Sequence, residues 1–217
     1  MYQEHPATVM MVDDHPLLRK GLKQLLDLED DLKVIGEASS GLEAIEKALE
    51  FEPDLITLDL NMQSMDGLET LRLMRDKGVD ARIIMLTVSD NDEDVIEAIR
   101  GGADGYLLKD MDPDEMVEKL KEATLGKMVM SDKLTQILAS ALRRPEKPGN
   151  RELASLTSRE YEILQLIAKG LSNKLVAREL DISEGTVKVH VKHFLKKLKL
   201  RSRVEAAVWM VNQNKGS

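Results

Sequence analysis

The sequence predicts two domains: an α/β domain built on a five-stranded, doubly wound parallel sheet, and an all-α domain of four helices joined to it by a linker. Three observations support this. Up to residue 126, short apolar runs alternate with longer amphipathic ones. Beyond residue 156 the apolar spacing is helical throughout. The charge also divides: residues 1–130 carry 14 Lys and Arg against 30 Asp and Glu, whereas residues 131–217 carry 17 against 9. An overall net charge of −8 therefore conceals a basic C-terminal part.

Each element has its own justification. The runs at 8–12, 32–37, 54–58, 82–87 and 105–109 are rich in Val, Ile and Leu, as strands covered on both faces are. Pro16 suits the first position of a helix whose leucines recur at helical spacing. Helical patterns follow at 41–50, 67–76, 91–102 and 113–124. We expect the first domain to span 1–126 and a linker with one helix to fill 127–155. Ser131 is the expected cap of that helix, and RPEKPGNRELAS (144–155) has the proline, glycine and charge content of a flexible connection. The second domain, 156–217, is expected to hold helices near 157–169, 173–180, 184–198 and 203–213.

Composition narrows the function. With no cysteine among 217 residues there is no disulfide, no Cys-based zinc site and no thiol nucleophile, which suits a reducing compartment. The N-terminal apolar run is too short for a signal peptide or membrane span, so a soluble cytoplasmic protein without a membrane partner is expected. Aromatic residues make up 3%, too few for a platform that stacks single-stranded nucleic acid.

Ligands of a doubly wound sheet bind beyond the C-terminal ends of its strands. Asp13 and Asp14 follow the first strand, Asp59 the third, and Thr87 and Lys109 end the fourth and fifth. One such aspartate could be a helix cap or a turn residue. The set together calls for a cation, and an all-oxygen group with few ligands suits Mg²⁺. Such a site could transfer a phosphoryl group to a carboxylate, with Lys109 and Thr87 binding its oxygens.

The motifs VDDHP, LDLNM, LTVSD and GADGYLLKD together resemble the receiver domain of bacterial two-component response regulators, a flavodoxin-like fold. The resemblance covers the whole first domain. It implies that Asp59 is the phosphoacceptor, that Asp13, Asp14 and Asp59 hold Mg²⁺ with the backbone carbonyl of Asn61, and that Lys109 and Thr87 contact the phosphoryl group. Tyr106 matches the aromatic that family members reorient on phosphorylation. Such a chain is not an enzyme, beyond catalysing its own phosphorylation and dephosphorylation. Two positions depart from the common pattern: Gln63 replaces a frequent proline, and Val88 replaces a frequent alanine or glycine. Branched Val88 is expected to crowd the phosphoryl site and slow phosphoryl loss.

In the second domain, helices at 173–180 and 184–200 with a tight connection between them have helix-turn-helix spacing. At 100° per residue, Val187, Val191, Phe194 and Leu198 form a buried stripe. Lys188, Val189, Lys192 and Lys196 lie opposite, offering amines for base acceptors and phosphates and an alkyl group for a thymine methyl. Ser183 caps this helix, and Thr186 in its first turn is placed for a phosphate. Lys174 and Arg178 on the preceding helix are candidates for the DNA backbone. A solvated basic face and a membrane-surface helix are the competing readings, and neither explains the turn and the stripe together. His190 and His193 lie three residues apart, and without cysteine they are expected to pack instead of binding metal.

The stretch LTSREYEILQLIAKGLSNKLVARELDISEGTVKVHVKHFLKKL resembles the DNA-binding domain of the LuxR/FixJ class, and the chain as a whole is similar to the nitrate/nitrite response regulators. This implies a cytoplasmic transcription regulator whose partners are a sensor histidine kinase, double-stranded DNA, a second copy paired on an inverted repeat and, in some systems, RNA polymerase. The receiver is expected to cover the basic helix until Asp59 is phosphorylated. On residues 203–211, Val204, Ala207, Val208 and Val211 serve either a dimer contact or ordinary packing. Two alternatives stand beside this reading: an aspartyl-phosphate phosphohydrolase, which would commonly show its acids as Asp-x-Asp on one strand end, and a non-specific architectural DNA binder, which would show no preference among sequences.

Overall fold

In a computed structural model of the chain, residues 6–88, 91–130, 156–200 and 203–214 are described, with backbone alone for Asp92, Met130, Val204, Val208 and residues 212–214. The expected helix at 131–144 and the linker at 144–155 lie outside the described residues.

The first domain alternates strand and helix: β1 (Ala7–Val12), α1 (Pro16–Leu26), β2 (Leu32–Ala38), α2 (Gly41–Phe51), β3 (Leu55–Asp59), α3 (Gly67–Asp76), β4 (Arg82–Thr87), α4 (Asp92–Gly101), β5 (Gly105–Leu108) and α5 (Pro113–Thr124). The strands are parallel in the order β2-β1-β3-β4-β5. All five expected strands are present. A sixth, β6 (Val129–Met130), pairs with β5 at the edge, and two residues leave no periodicity in the sequence to detect.

Strand side chains alternate between faces, and the two cores record this. Met10, Val12, Ile56, Leu58, Ile83 and Met85 pack with α2, α3 and α4. Val9, Met11, Leu55, Ile84 and Leu86 pack with α1 and α5. Pro16 opens α1, and side chains of Ser40, Asp66, Asn91 and Asp112 accept amide hydrogen bonds in the first turns of α2 to α5.

The second domain comprises α6 (Ser158–Ala168), α7 (Asn173–Glu179), α8 (Glu184–Leu198) and α9 (Arg203–Asn214). A capping box at Thr157 and Glu160 starts α6, and Ser172 and Ser183 cap α7 and α8. Val187, Val191, Phe194 and Leu198 are buried, as the stripe predicts. From α9 the core takes Ala206, Trp209 and Met210, while Ala207 is half-buried and Val211 exposed.

One glycine fixes the end of β3. A β-carbon on Gly67 would stand 2.2 Å from the carbonyl oxygen of Asp59 and 2.8 Å from Cα of Leu60, so α3 begins in direct contact with the end of β3. Gly67→Ala should displace that strand end and cost about 1–3 kcal/mol by overpacking. Urea denaturation of the two proteins measures the loss.

Candidate functional site

In this strand order the connections reverse direction between β1 and β3, which leaves a crevice beyond their C-terminal ends. Asp13 and Asp14 leave β1 there, Asp59 ends β3, and Lys109 follows β5. The Lys109 ammonium donates to Asp13 Oδ2 at 2.7 Å and reaches Asp59 Oδ1 at 2.9 Å. One lysine thus joins the ends of three strands.

Asp59 and Asp14 each commit one oxygen to the protein, and Asp13 commits both, Oδ1 accepting the His15 amide at 2.8 Å. Asp59 Oδ1 accepts the Asn61 amide at 3.1 Å as well as Lys109, Asp13 Oδ2 faces Lys109, and Asp14 Oδ2 accepts the Gln63 amide at 3.0 Å. Asp59 Oδ2 and Asp14 Oδ1 are buried and have no hydrogen-bond partner. Buried anionic oxygens left without donors are the fit expected for a cation. Gln63 explains one departure from the receiver pattern, because a proline there would have no N–H to offer Asp14.

The cluster at the strand ends includes a residue that spacing did not single out. His15 Nδ1 lies 2.8 Å from Asp14 Oδ1 and 3.2 Å from Asp13 Oδ1, and Asp13, Asp14, His15 and Asp59 form a group able to hold an ion. The signal was its place in VDDHP, on the same strand end as the acids. Arg19 donates through Nη1 to the Asp13 carbonyl.

The other expected residues take these places. Thr87 and Tyr106 are fully buried on β4 and β5, while Asn61 is exposed on the loop after β3. Val88 is 72% exposed, so only a group arriving from solvent would meet it. Asp59 is 1% exposed. Burial raises its pKa above the usual carboxylate value; hydrogen bonding by Lys109 opposes the shift, and the charge of Asp13 adds to it.

On α8, Val189 is 52% exposed, Lys192 and Lys196 are exposed and Lys188 is half-buried. Ser183 Oγ accepts the Thr186 amide at 3.0 Å, and the two hydroxyls lie 2.8 Å apart. Lys174 and Arg178 are exposed on α7. His190 is half-buried and His193 exposed.

This basic surface meets the first domain at the turn before β4. Asn173 Nδ2 donates to Asp80 Oδ2 at 3.1 Å, and Arg203 Nη1 donates to Asn173 Oδ1 at 3.1 Å. Lys188 and Arg203 are among the cations whose charge acts on Asp80. The Lys192 ammonium lies against Gly78, 3.2 Å from where a β-carbon would stand, and Gly126 packs on the backbone of Gly170 to Ser172. Sequence spacing could not show this contact, since Asp80 and Asn173 stand 93 residues apart.

Among the described residues no helix is long and apolar enough to cross a membrane.

Residues 9–121 match the response regulator receiver domain family, and residues 154–210 match the luxR family of bacterial regulatory proteins. The chain is 54% identical to the nitrate/nitrite response regulator protein NarL of Escherichia coli K12 over 210 residues, covering 97% of each chain. It is 46% identical to the nitrate/nitrite response regulator protein NarP of the same organism over 215 residues, covering 98% of each. Among solved structures it is similar to the response regulator ChrA of a heme-sensing two-component system, with 32% identity, a TM-score of 0.52 and coverage of 97% of this chain and 99% of that one.

A buried acid with a raised pKa favours its neutral form, so its contribution to stability is present at low pH and lost as the pH rises through its folded-state pKa. Without divalent ions, Asp59→Asn should therefore raise the melting temperature by a few degrees at neutral pH. The difference should shrink as the pH falls into the carboxylate range, which thermal denaturation across a pH series will show.

Proposed function

The chain belongs to the two-component response regulators that join a receiver domain to a LuxR-family DNA-binding domain, and on that premise we propose that Asp59 is its phosphoacceptor and controls DNA binding by the second domain. The observation that carries this is the pairing of Asp59 with Lys109 while its second carboxylate oxygen stays buried and unpartnered.

In the reaction, a carboxylate oxygen of Asp59 attacks the phosphorus of a phosphohistidine on a sensor kinase. The new O–P bond replaces the N–P bond, and the histidine leaves with the electron pair. Lys109 already faces the attacking carboxylate and neutralises charge as the phosphoryl group arrives, with Thr87 at the end of β4 as a hydroxyl donor. Asp13, Asp14 and Asp59 would hold Mg²⁺ with the Asn61 carbonyl, and the bound ion would offset the negative charge of the phosphoryl oxygens. Tyr106, fully buried on β5 and paired with Met85 of β4, is the residue that would report the phosphoryl group to the rest of the domain.

The output is site-specific binding to double-stranded DNA. Lys188, Val189, Lys192 and Lys196 on α8 face the major groove, while Ser183, Thr186, Lys174 and Arg178 take the phosphate backbone. Two copies pair through α9 on an inverted repeat. The receiver covers 1–126 and the DNA-binding domain 156–217, and in the unphosphorylated chain the turn at Gly78 to Asp80 lies beside half-buried Lys188 and against the ammonium of Lys192. Control by nitrate and nitrite, stated in the names of the two Escherichia coli relatives, belongs to the same proposal.

The test combines phosphotransfer with binding. A small phosphodonor such as acetyl phosphate should add one phosphoryl mass to the wild type and none to Asp59→Asn, and should tighten binding to DNA selected from random sequence in the wild type alone. Phosphoryl incorporation in Asp59→Asn would sink the assignment.

Asp80→Lys supplies a second check, since it places a cation against Lys188, Lys192 and Arg203. Unphosphorylated Asp80→Lys should bind DNA about 5-fold or more tighter than the wild type, the low end of typical coupling between two sites. Fluorescence anisotropy with a labelled duplex measures it.

A further inference from the structure

The cation site holds one donor that is not an oxygen, and we propose that His15 is a ligand there, shifting the site towards divalent ions that accept nitrogen. This rests on the reading of Asp13, Asp14 and Asp59 as the cation site. Ligand spacing is the first support. Two ligands each about 2.1 Å from one ion stand ~3.0 Å apart when adjacent and ~4.2 Å apart when opposite. His15 Nδ1 is 2.8 Å from Asp14 Oδ1, 3.2 Å from Asp13 Oδ1 and 3.9 Å from Asp59 Oδ2. Two of these are adjacent spacings and the third approaches an opposite one.

The orientation of the groups is the second support. His15 Nδ1 is hydrogen-bonded to Asp13 Oδ1 at 3.2 Å, where a metal would take the place of the shared proton, but at 2.8 Å from the same nitrogen Asp14 Oδ1 has no hydrogen-bond partner. These last two atoms are side by side without the alignment of donor and acceptor, as ligands aimed at a shared centre are. Asp59 Oδ2, in a side chain 2% exposed, is likewise unpartnered and within reach of the same nitrogen.

The chain holds His15 in place. Its amide donates to Asp13 Oδ1 at 2.8 Å, and it precedes Pro16 as the residue before α1, a position with restricted backbone freedom. Its side chain is 62% exposed, so solvent can reach the site beside it.

Imidazole suits Ni²⁺ and Co²⁺, whereas Mg²⁺ prefers oxygen and replaces a missing ligand with water. Any site of this kind binds Ni²⁺ more tightly than Mg²⁺, so that ratio alone decides nothing. What decides is how His15→Ala changes it.

Isothermal titration of the full chain with NiCl₂ and with MgCl₂ tests the proposal, with His190 and His193 replaced by glutamine in every protein compared. His15→Ala should weaken Ni²⁺ by about tenfold or more and leave Mg²⁺ within about twofold, in keeping with the loss of a group that supports a metal site. Mn²⁺-loaded wild type should show nitrogen coupling in pulsed electron paramagnetic resonance that His15→Ala lacks. Equal effects on both ions, no effect on either, tighter Ni²⁺ binding, or nitrogen coupling that persists in His15→Ala would each overturn the proposal. Unchanged binding of both ions in Asp14→Asn would instead remove the cation site itself.

Discussion

The ammonium of Lys109 is what allows three carboxylates to share one crevice. It lies 2.7 Å from Asp13 and 2.9 Å from Asp59, on side chains that belong to different strands of the sheet. Without it the crevice would hold like charges at close range on largely buried side chains, which raises the pKa of at least one acid. With it the three acids still carry more negative charge than one ammonium offsets, and Asp59 and Asp14 each keep a buried oxygen without a donor. That shortfall is chemically useful. It draws a cation and leaves a carboxylate oxygen free, and the two together suit a phosphoryl group.

The same imbalance of charge recurs between domains. Fourteen basic residues against thirty acidic ones in 1–130 face a segment with the opposite surplus. The contact uses few groups: Asp80 with Asn173, and the cations Lys188 and Arg203 nearby. One side-chain hydrogen bond contributes little, and the pull of nearby charges weakens with salt, so such a contact holds the domains together only weakly. A regulator needs that balance, since a covering held by a large apolar interface would not yield to a single phosphoryl group.

Much of this was legible in the sequence because it is periodic. Strand runs with helical runs between them fixed the order of elements, and Val187, Val191, Phe194 and Leu198 marked the buried side of α8 by spacing alone. Acids at strand ends were legible because topology places strand ends together. What escaped lacks a period. Val129–Met130 is too short to alternate, and Asp80, Asn173 and Arg203 meet only through tertiary packing. His15 was read past for a different reason: beside two aspartates and a helix-opening proline, one histidine carries no spacing of its own.

The two functional regions lie at opposite ends of the sheet, and this constrains how one can act on the other. Asp59 ends β3 and Thr87 ends β4, whereas Asp80 precedes β4, whose residues span about 17 Å. Asp80 sits between Val79 and Ala81, and both belong to the buried cluster that also contains Tyr106 and Met85. An interior packed this densely has no slack to absorb a rotated aromatic ring. If Tyr106 moves when Asp59 is phosphorylated, its neighbours in that cluster must repack, and the turn that carries Asp80 is part of the same packing unit. The coupling then needs no long-range field: a change of ring position at one end of the cluster alters the backbone that holds Asp80 against Asn173 at the other.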